Sequence, residues 1–494
     1  MRPFTRECLI MNSQSSSKPA LAAVSLGAGT FAMMNITTVV SLRGLAAEAE
    51  YGLAAVFLYL FAALCFLVPV SLCAAELATG WPQKGGVFRW IGQAFGDRYG
   101  LLAIFLQWLA TTICFPTMLI FTAVALAYAL PFPGADAHLA SNAFYTLAIV
   151  LVVYWLATWI NLHGVRSASR ISAIAGMIGT LIPAAILIGC GILYIARGNP
   201  VHFTLGWDAL FPNITHLHNL VLAASVFLFY SGMEINAVHV RELNNASRNY
   251  PLAIGISALL TVVVLVLGTL TISALIPADR INLVQSLLVA YDLLFSALGV
   301  PWLGHVVALM VAVGVLGQVT VIVAGPSRGL FEVGREGYLP SLLQQSNRRG
   351  VQRNILLLQG AIVTLMAIML VCLPSVQAAF QILGQLAAIL YLLMYILMFA
   401  AVISLRYTQP NTPRPYRIPG GNAGVWLVAG VGLVAALLAF VLSFIPPDQI
   451  PVGSPARYVL LLLVGTAAFV ALPLLLHAYA QRGAAHHGQP HAGV

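Results

Sequence analysis

The sequence predicts an all-helical integral membrane protein with twelve membrane-spanning helices, and three observations support this fold class. Of the 494 residues, 60% are hydrophobic and 7% are charged, whereas about a quarter of the residues of a soluble domain are charged. The mean hydropathy is +0.93, and the apolar residues form runs near the ~20 residues that a helix needs to cross a bilayer. The few charges lie in the short segments between those runs.

The apolar runs follow one another along a single predicted domain, residues 21–480. A hydropathy window of about 19 residues places twelve of them, at 21–42, 53–78, 101–130, 144–162, 171–196, 217–238, 252–276, 302–325, 355–373, 380–405, 425–444 and 458–480. Only residues 374–379 separate the ninth run from the tenth, so this pair is expected to form a tight hairpin.

The positions of the basic residues test this number of spans. If the N-terminus is cytoplasmic, the segments outside the cell hold only four of the 23 Lys and Arg residues, namely Arg43, Arg197, Arg280 and Arg457. Basic residues favour the cytoplasmic side of a membrane. One missed or extra span would reverse the alternation beyond it, so the charges favour twelve spans with both termini in the cytoplasm.

Both ends of the chain are predicted to be cytoplasmic tails. Residues 1–20 are polar and lack the cleavage site of a signal peptide, and Met11 is an alternative start to Met1. Residues 481–494 contain three histidines. No further set of ligands accompanies them at metal-binding spacing, so a flexible tail is expected rather than a metal site.

The composition also argues against several partners and cofactors. The net charge of +9 lies in loops between apolar runs, so no nucleic-acid partner is expected. The six cysteines form no CxxC pair, which gives no sign of a structural disulfide or metal cluster. The expected partners are therefore the lipid bilayer and a small substrate. We expect no cofactor.

Two spans carry glycines and polar residues near their centres. The first span contains "LGAGTFAMMNITT", with Asn35, Thr37 and Thr38, and the sixth contains "FYSGMEINA". Interrupted helices at matching positions of two halves indicate a transporter site, because a helix break in the membrane needs a cavity beside it. Close packing of helices at small residues is the alternative.

Glu234 is the acidic residue that lies most clearly inside a span. A charged acid at the bilayer centre costs about 2.5–3.5 kcal/mol on insertion scales. It is therefore expected to face a wet cavity, to pair with a partner, or to be neutral. A neutral carboxyl group suits a proton-carrying or pH-sensing role, whereas a structural Glu234 would hold the helix break in place.

Other polar residues within the spans give weaker indications. Gln318 lies in the middle of the eighth span, and Tyr391 and Tyr395 are four residues apart, which places them on one face of the tenth. Gln107 and Trp108 lie in the third span. Aromatic residues at this spacing can serve packing alone, so substrate contact and packing both remain open.

Enzymatic chemistry is not predicted. A membrane-embedded enzyme would need paired intramembrane acids, a His–Glu metal arrangement or an activated nucleophile. The sequence contains no Walker motif, no HExxH and no GxSxG in a suitable context.

Four stretches resemble the amino acid–polyamine–organocation (APC) transporters, and most closely the glutamate:GABA antiporter-like branch. They are "AAELATGWPQKGGVFRW", "YSGMEINAVHVRELNNASRNYP", "GPSRGLFEVGREGYLP" and "RPYRIPGG". The resemblance covers about residues 21–480. It implies a LeuT-type fold, in which two inverted repeats of five helices are followed by two extra helices, and alternating access around a central site.

The resemblance also implies roles for particular residues. It places the substrate carboxylate at free N–H groups of Met34, Asn35, Ile36 and Thr37, and the substrate ammonium at carbonyl groups of Tyr230, Ser231 and Gly232. Glu234 matches a pH-responsive acid, and Tyr391 and Tyr395 match a tyrosine pair. Gln318 and Ile322 depart from the glutamate and tryptophan expected in glutamate:GABA exchangers.

The sequence therefore predicts an amino acid transporter of a bacterial inner membrane, either an antiporter of glutamate/GABA type or a proton-coupled permease. It would act as a monomer or a homodimer. The alternatives are a transporter-like sensor that binds an amino acid without moving it, and a permease for another small amine.

Overall fold

The computed structural model describes residues 27–82, 85–130, 135–163, 166–212, 225–236, 240, 243–372, 375–446 and 454–487. Their regular structure is helical, and no strand occurs among them. The α-helices are α1 (Ala28–Val39), α2 (Ala54–Ala62), α3 (Val68–Gly80), α4 (Val87–Phe95), α5 (Asp97–Tyr128), α6 (Ala135–Ser141), α7 (Ala143–Leu162), α8 (Arg166–Ala196), α9 (Ser225–Phe229), α10 (Ala246–Leu275), α11 (Ser286–Ala297), α12 (Trp302–Val333), α13 (Arg353–Cys372), α14 (Val376–Thr408), α15 (Gly421–Leu442) and α16 (Pro455–His487).

Nine helices in the described part of the chain are long and apolar enough to cross a membrane. They are Ala54–Gly80, Asp97–Tyr128, Ala143–Leu162, Ile178–Ala196, Ala246–Leu275, Trp302–Tyr338, Val376–Thr408, Gly421–Leu442 and Pro455–Tyr479. The first of these contains α2 and α3, which continue into one another through a π-helical turn at Ala63–Leu67. Each of the nine overlaps one predicted span, so these nine predictions are confirmed.

The first, sixth and ninth predicted spans are described only in part. The first is represented by the 12 residues of α1, and the sixth by the five residues of α9, because residues 213–224 lie outside the described residues. The ninth corresponds to α13, a helix of 20 residues from Arg353 to Cys372, whose side chains are described as far as Ile368.

The centre of the bundle is α5. Almost every residue of α5 from Gly100 to Tyr128 is buried, and the helix packs against α4, α7, α12 and α14. A helix that is apolar on all sides is expected in such a central position. At the periphery, only 17% of the most apolar part of α16 is buried, so most of its apolar surface is left for lipid.

Two helices of the bundle, α8 and α12, approach each other closely. Gly179 and Gly314 face each other across it, and a Cβ atom built on Gly179 would lie 2.2 Å from the Cα of Gly314. Glycines let two backbones approach in this way inside a membrane. The remaining helices around the centre include α1, which packs against α10, and α14, which packs against α15.

The predicted tails fall at the limits of the described structure. Residues 1–20 lie outside it. The helix α16 continues to His487, so the first seven residues of the predicted tail 481–494 are helical rather than extended from the domain as a coil.

Candidate functional site

The sixth span is interrupted at the predicted place. Helix α9 ends at Phe229, and residues 230–236 form turns in place of a continuous helix. Gly232 has a φ angle of +106°, in the left-handed region that glycine adopts without a steric penalty. The hydroxyl of Ser231 donates to the carbonyl oxygen of Phe227 at 2.8 Å. The predicted break at Gly232 is confirmed.

Tyr395 of α14 holds this break through its hydroxyl group. The backbone N–H of Gly232, which helix interruption leaves without a helical acceptor, donates to the Tyr395 oxygen at 2.9 Å. The same hydroxyl donates to Oε2 of Glu234 at 2.6 Å. One side chain therefore satisfies a free backbone group and orients the carboxyl group beside it.

The carboxyl group of Glu234 has partners on both oxygens. Gln107 of α5 donates from Nε2 to Oε1 at 3.0 Å, opposite the bond from Tyr395. Glu234 is only 2% exposed, and buried carboxyl oxygens are normally hydrogen-bonded in this way. The acid ties α5 and α14 to the break, which supports the bracing role among the predicted alternatives.

The predicted interruption of the first span is wrong in its position. Helix α1 is continuous from Ala28 to Val39, so the N–H groups of Met34, Asn35, Ile36 and Thr37 lie within the helix. The chain leaves the helix only at Val40, which is extended.

The polar side chains of α1 find partners without a break in the helix. Thr38 donates from Oγ1 to the carbonyl oxygen of Met34 at 2.8 Å, a bond that a helix accommodates. Asn236, just after the break in the sixth span, donates from Nδ2 to Oδ1 of Asn35 at 2.9 Å and to Oγ1 of Thr38 at 3.1 Å. These bonds form without an unwound backbone, and the Nδ2 atom of Asn35 is left without a partner within the described structure.

Gln318 lies at the point where α1 ends. Its Nε2 atom donates to the carbonyl oxygen of Val40 at 3.3 Å and to Oγ1 of Thr180 at 3.2 Å. The amide thus links α12 to α8 and to the end of α1. It satisfies a carbonyl that the helix end leaves free.

Tyr391 and Tyr395 lie on one face of α14, as predicted. Their ring centroids are 5.9 Å apart and their planes differ by 22°. The Tyr391 hydroxyl shares a 3.0 Å hydrogen bond with Oγ1 of Thr111 on α5, and the edge of Phe66 contacts Tyr395 at 5.1 Å between centroids. Both tyrosines therefore combine packing with hydrogen bonding beside the break.

Tyr230 contributes differently from its neighbours. Its ring is fully buried, and its hydroxyl donates to the carbonyl oxygen of Tyr59 at 3.1 Å. The Tyr59 hydroxyl makes a separate hydrogen bond with Oγ1 of Thr269 at 3.1 Å. The side chain of Tyr230 thus anchors α9 to α2, and only its backbone carbonyl belongs to the break.

Sequence reasoning missed a cavity next to this site. It is bordered by Arg43 in the turn after α1, Thr117 of α5, Phe229 of α9, and Gln381 and Gln385 of α14. A signal exists in the sequence, because residues 381, 385, 388, 391 and 395 follow the spacing of a single helix face. Arg43 gives no such signal, because in the sequence it resembles any other loop charge.

A second buried carboxyl group, Glu76 of α3, lies outside the site. Both its oxygens accept hydrogen bonds from Arg406 of α14, at 2.7 and 2.6 Å. Arg414 lies 3.7 Å away, and the N–H of Ile418 donates to Glu76 at 2.9 Å. This ion cluster joins helix ends to a loop and contacts none of the residues that brace the break.

The chain matches known transporters over nearly its whole length. The family described as "Amino acid permease" matches residues 26–469. An uncharacterized transporter of Legionella pneumophila is 40% identical over 445 residues, which cover 90% of this chain and 94% of the relative.

Two further relatives come from Lactococcus lactis. A glutamate/gamma-aminobutyrate antiporter is 33% identical over 427 residues, 85% of this chain and 84% of the relative. A probable agmatine/putrescine antiporter is 23% identical over 422 residues, 84% and 87% of the two chains. The chain is therefore a multi-pass membrane protein that belongs to the amino acid permease family, in the glutamate:GABA antiporter-like branch of the APC superfamily.

Proposed function

We propose that the protein is an amino acid transporter of a bacterial inner membrane that works by alternating access. The observation that carries this proposal is the helix break at Gly232, which Tyr395 and Glu234 brace at the centre of a polar cluster in an amino acid permease. A break of this kind presents backbone groups to a ligand. Exchange of one substrate for another is the favoured mode, because relatives at 33% and 23% identity carry the name antiporter.

The substrate is held beside the break. The carbonyl groups of Tyr230 and Ser231 lie in the turns that follow the end of α9, and in this proposal they accept from a substrate ammonium group. Tyr391, Tyr395 and Gln318 border the same region. The α1 residues Met34, Asn35, Ile36 and Thr37 form the facing helix. Their N–H groups stay in helical bonds, so we do not assign the substrate carboxylate to them.

Glu234 carries a proton during transport in this proposal, in addition to bracing the break. The test is the pH profile of exchange in liposomes for Glu234→Gln, because glutamine keeps the size of the side chain and one acceptor oxygen but cannot titrate. We expect a flattened profile. Asp279→Asn, in an exposed loop turn, is the matched control. If Glu234→Gln leaves both rate and pH profile unchanged, the carboxyl group is structural only.

The arrangement of spans is part of the proposal. The protein has twelve membrane-spanning helices in this proposal: two inverted repeats of five helices, followed by two extra helices. An even number of spans places both termini on one side of the membrane, and the distribution of basic residues favours the cytoplasm. A reporter fused to the C-terminus tests the side. Fluorescent protein is expected to fold there and alkaline phosphatase to stay inactive, and the opposite pattern would reverse the topology.

Binding and transport experiments distinguish an amino acid transporter from two other candidate functions, an amine permease and a sensor. A permease for another small amine draws support from the agmatine/putrescine relative. A thermal-shift screen of the purified protein against all amino acids and their decarboxylated amines identifies the ligand class. An amine that stabilises the protein where no amino acid does would replace the amino acid assignment. A sensor would bind in this screen and fail in a transport assay.

A further inference from the structure

The cavity beside Arg43 has a volume of about 20 Å³, enough for a water molecule or a group of similar size. It lies between the turn after α1, the end of α9 and the N-terminal half of α14. Ala388, which borders it, precedes Tyr391 by three residues, or about 4.5 Å along the helix. The cavity is thus one helix turn from the proposed substrate site and cannot hold a whole amino acid.

Arg43 brings a positive charge to this cavity. Its Nη1 atom donates to Oγ1 of Thr117 at 2.9 Å and lies 3.5 Å from the carbonyl oxygen of Cys114. In the described part of the chain Arg43 has no acidic partner within 4 Å. A guanidinium group has five N–H donors, so most of its hydrogen-bonding capacity is not used by these two neighbours.

Two glutamines on α14 complete the polar wall. Gln385 is 2% exposed, and both its amide atoms lack a hydrogen-bond partner within the described structure. Gln381 is 5% exposed, and its Nε2 atom likewise lacks one there. A buried polar atom without a partner is costly. Two such amides facing one cavity with a guanidinium therefore indicate a site that is completed by a ligand.

Aromatic rings form the apolar wall, and close packing fixes one of them. The rings of Phe229 and Phe380 border the cavity. Gly44 lies against the Phe229 ring so closely that a Cβ atom there would be 2.6 Å from a ring carbon. The cavity thus has a rigid apolar side and a polar side with a cation and amide donors, which suits the end of a small organic anion.

We propose that this cavity is a second binding site, which takes the carboxylate of a substrate on its way to or from the central site. The guanidinium of Arg43 binds the two carboxylate oxygens, and the amides of Gln381 and Gln385 donate to them. The rings of Phe229 and Phe380 contact the carbon next to the carboxylate. The route from this site to the break rests on the proposed transport function, but the binding of an anion here does not.

Binding is tested on the purified full-length chain with acetate as the probe and acetamide as its neutral isostere. At constant ionic strength, acetate is expected to raise the melting temperature in a saturable way, and acetamide is not. Chloride distinguishes the source of the anion. If chloride raises the melting temperature as much as acetate does, and Arg43→Gln abolishes both effects, the site binds any small anion. That result would overturn the assignment to a carboxylate.

Two variants locate the binding. Arg43→Gln and Gln385→Leu are each expected to weaken acetate binding about tenfold or more, the usual scale for a lost charged hydrogen bond. Gln385→Leu should also raise the melting temperature without ligand, because it removes two buried atoms without partners. The control is Arg280→Gln, an exposed change of the same charge. No protection of the wild type by acetate, or undiminished protection in Arg43→Gln, overturns the proposal.

Transport supplies the second measurement. In liposomes, Arg43→Gln is expected to raise the half-saturating substrate concentration about tenfold and to change the maximal rate less than about twofold, the pattern of lost binding. A tenfold loss in the maximal rate alone would contradict a binding role. If no substrate is transported at all, the proposed function fails, whereas the acetate measurement still decides whether the second site exists.

Discussion

The hydroxyl of Tyr395 joins the two critical groups of the broken helix, the N–H of Gly232 at 2.9 Å and the carboxyl group of Glu234 at 2.6 Å. These contacts cross from α14 to residues more than 160 positions earlier in the chain. A backbone donor and a buried acid thus share one oxygen atom, and removal of the Tyr395 hydroxyl group would leave both without this partner.

Tyr395→Phe is expected to lower the free energy of unfolding by about 1–3 kcal/mol, because it leaves a buried N–H and a buried carboxyl oxygen without a partner. Transport should fall at least tenfold. Tyr391→Phe is the matched control for stability, since it loses only the bond to Thr111. Thermal unfolding in detergent measures stability, and liposome exchange measures transport by Tyr395→Phe. An equal loss of stability in the two variants would contradict the bracing role.

Glu76→Gln is expected to destabilise the protein by about 3–5 kcal/mol, because Arg406 and Arg414 would remain buried without their acid. The control is Glu336→Gln, which breaks an ion pair between Arg89 and Glu336 whose side chains are 28% and 40% exposed. This change should cost less than about 1 kcal/mol. Denaturation in detergent compares the two variants. Similar losses would show that the buried cluster adds nothing beyond a surface pair.

Gly314→Ala is expected to destabilise the contact of α8 with α12, because its Cβ atom would lie 2.4 Å from the Cα of Gly179 and backbone cannot yield as a side chain can. Overpacking of this kind costs about 1–3 kcal/mol. Gly325→Ala is the control on the same helix, because a Cβ atom built there would have no neighbour within 4 Å among the described residues. Thermal stability should fall for the first variant only, and a loss of similar size for both would refute the contact.

Glu50, in the turn between α1 and α2, makes stability depend on pH. Burial raises its pKa from 4.5 to about 7, so the folded protein binds a proton that the unfolded chain releases between pH 4.5 and 7. Stability therefore falls as pH rises through this range. Melting temperatures from about pH 5 to 8 should decline in the wild type and decline less in Glu50→Gln. An equal decline of the melting temperature with pH in the two proteins would contradict the raised pKa of Glu50.

The sequence predicted features that depend on local composition. Nine spans followed from apolar length, and the break at Gly232 from a glycine beside polar residues in an apolar run. The position of the break in the first span was wrong, because Asn35 bonds to Asn236, a residue 201 positions away. Such a contact leaves no local pattern.

The cavity beside Arg43 also depends on contacts between distant segments, which the sequence does not show. Gln381 and Gln385 follow the helix face of Tyr391 and Tyr395, which the sequence displays, but nothing in the sequence places Arg43 opposite that face. The role of Arg43 depends on how the turn after α1 packs against α5 and α14. Only the folded structure combines these segments into one site.

The measurement that tests the account most directly is counterflow in liposomes that contain the purified protein and a ligand found in the thermal-shift screen. Liposomes preloaded with unlabelled amino acid are expected to take up the labelled amino acid faster than empty ones, and Tyr395→Phe is expected to abolish this acceleration. Binding without any acceleration in the wild type would contradict transport and would favour a sensor.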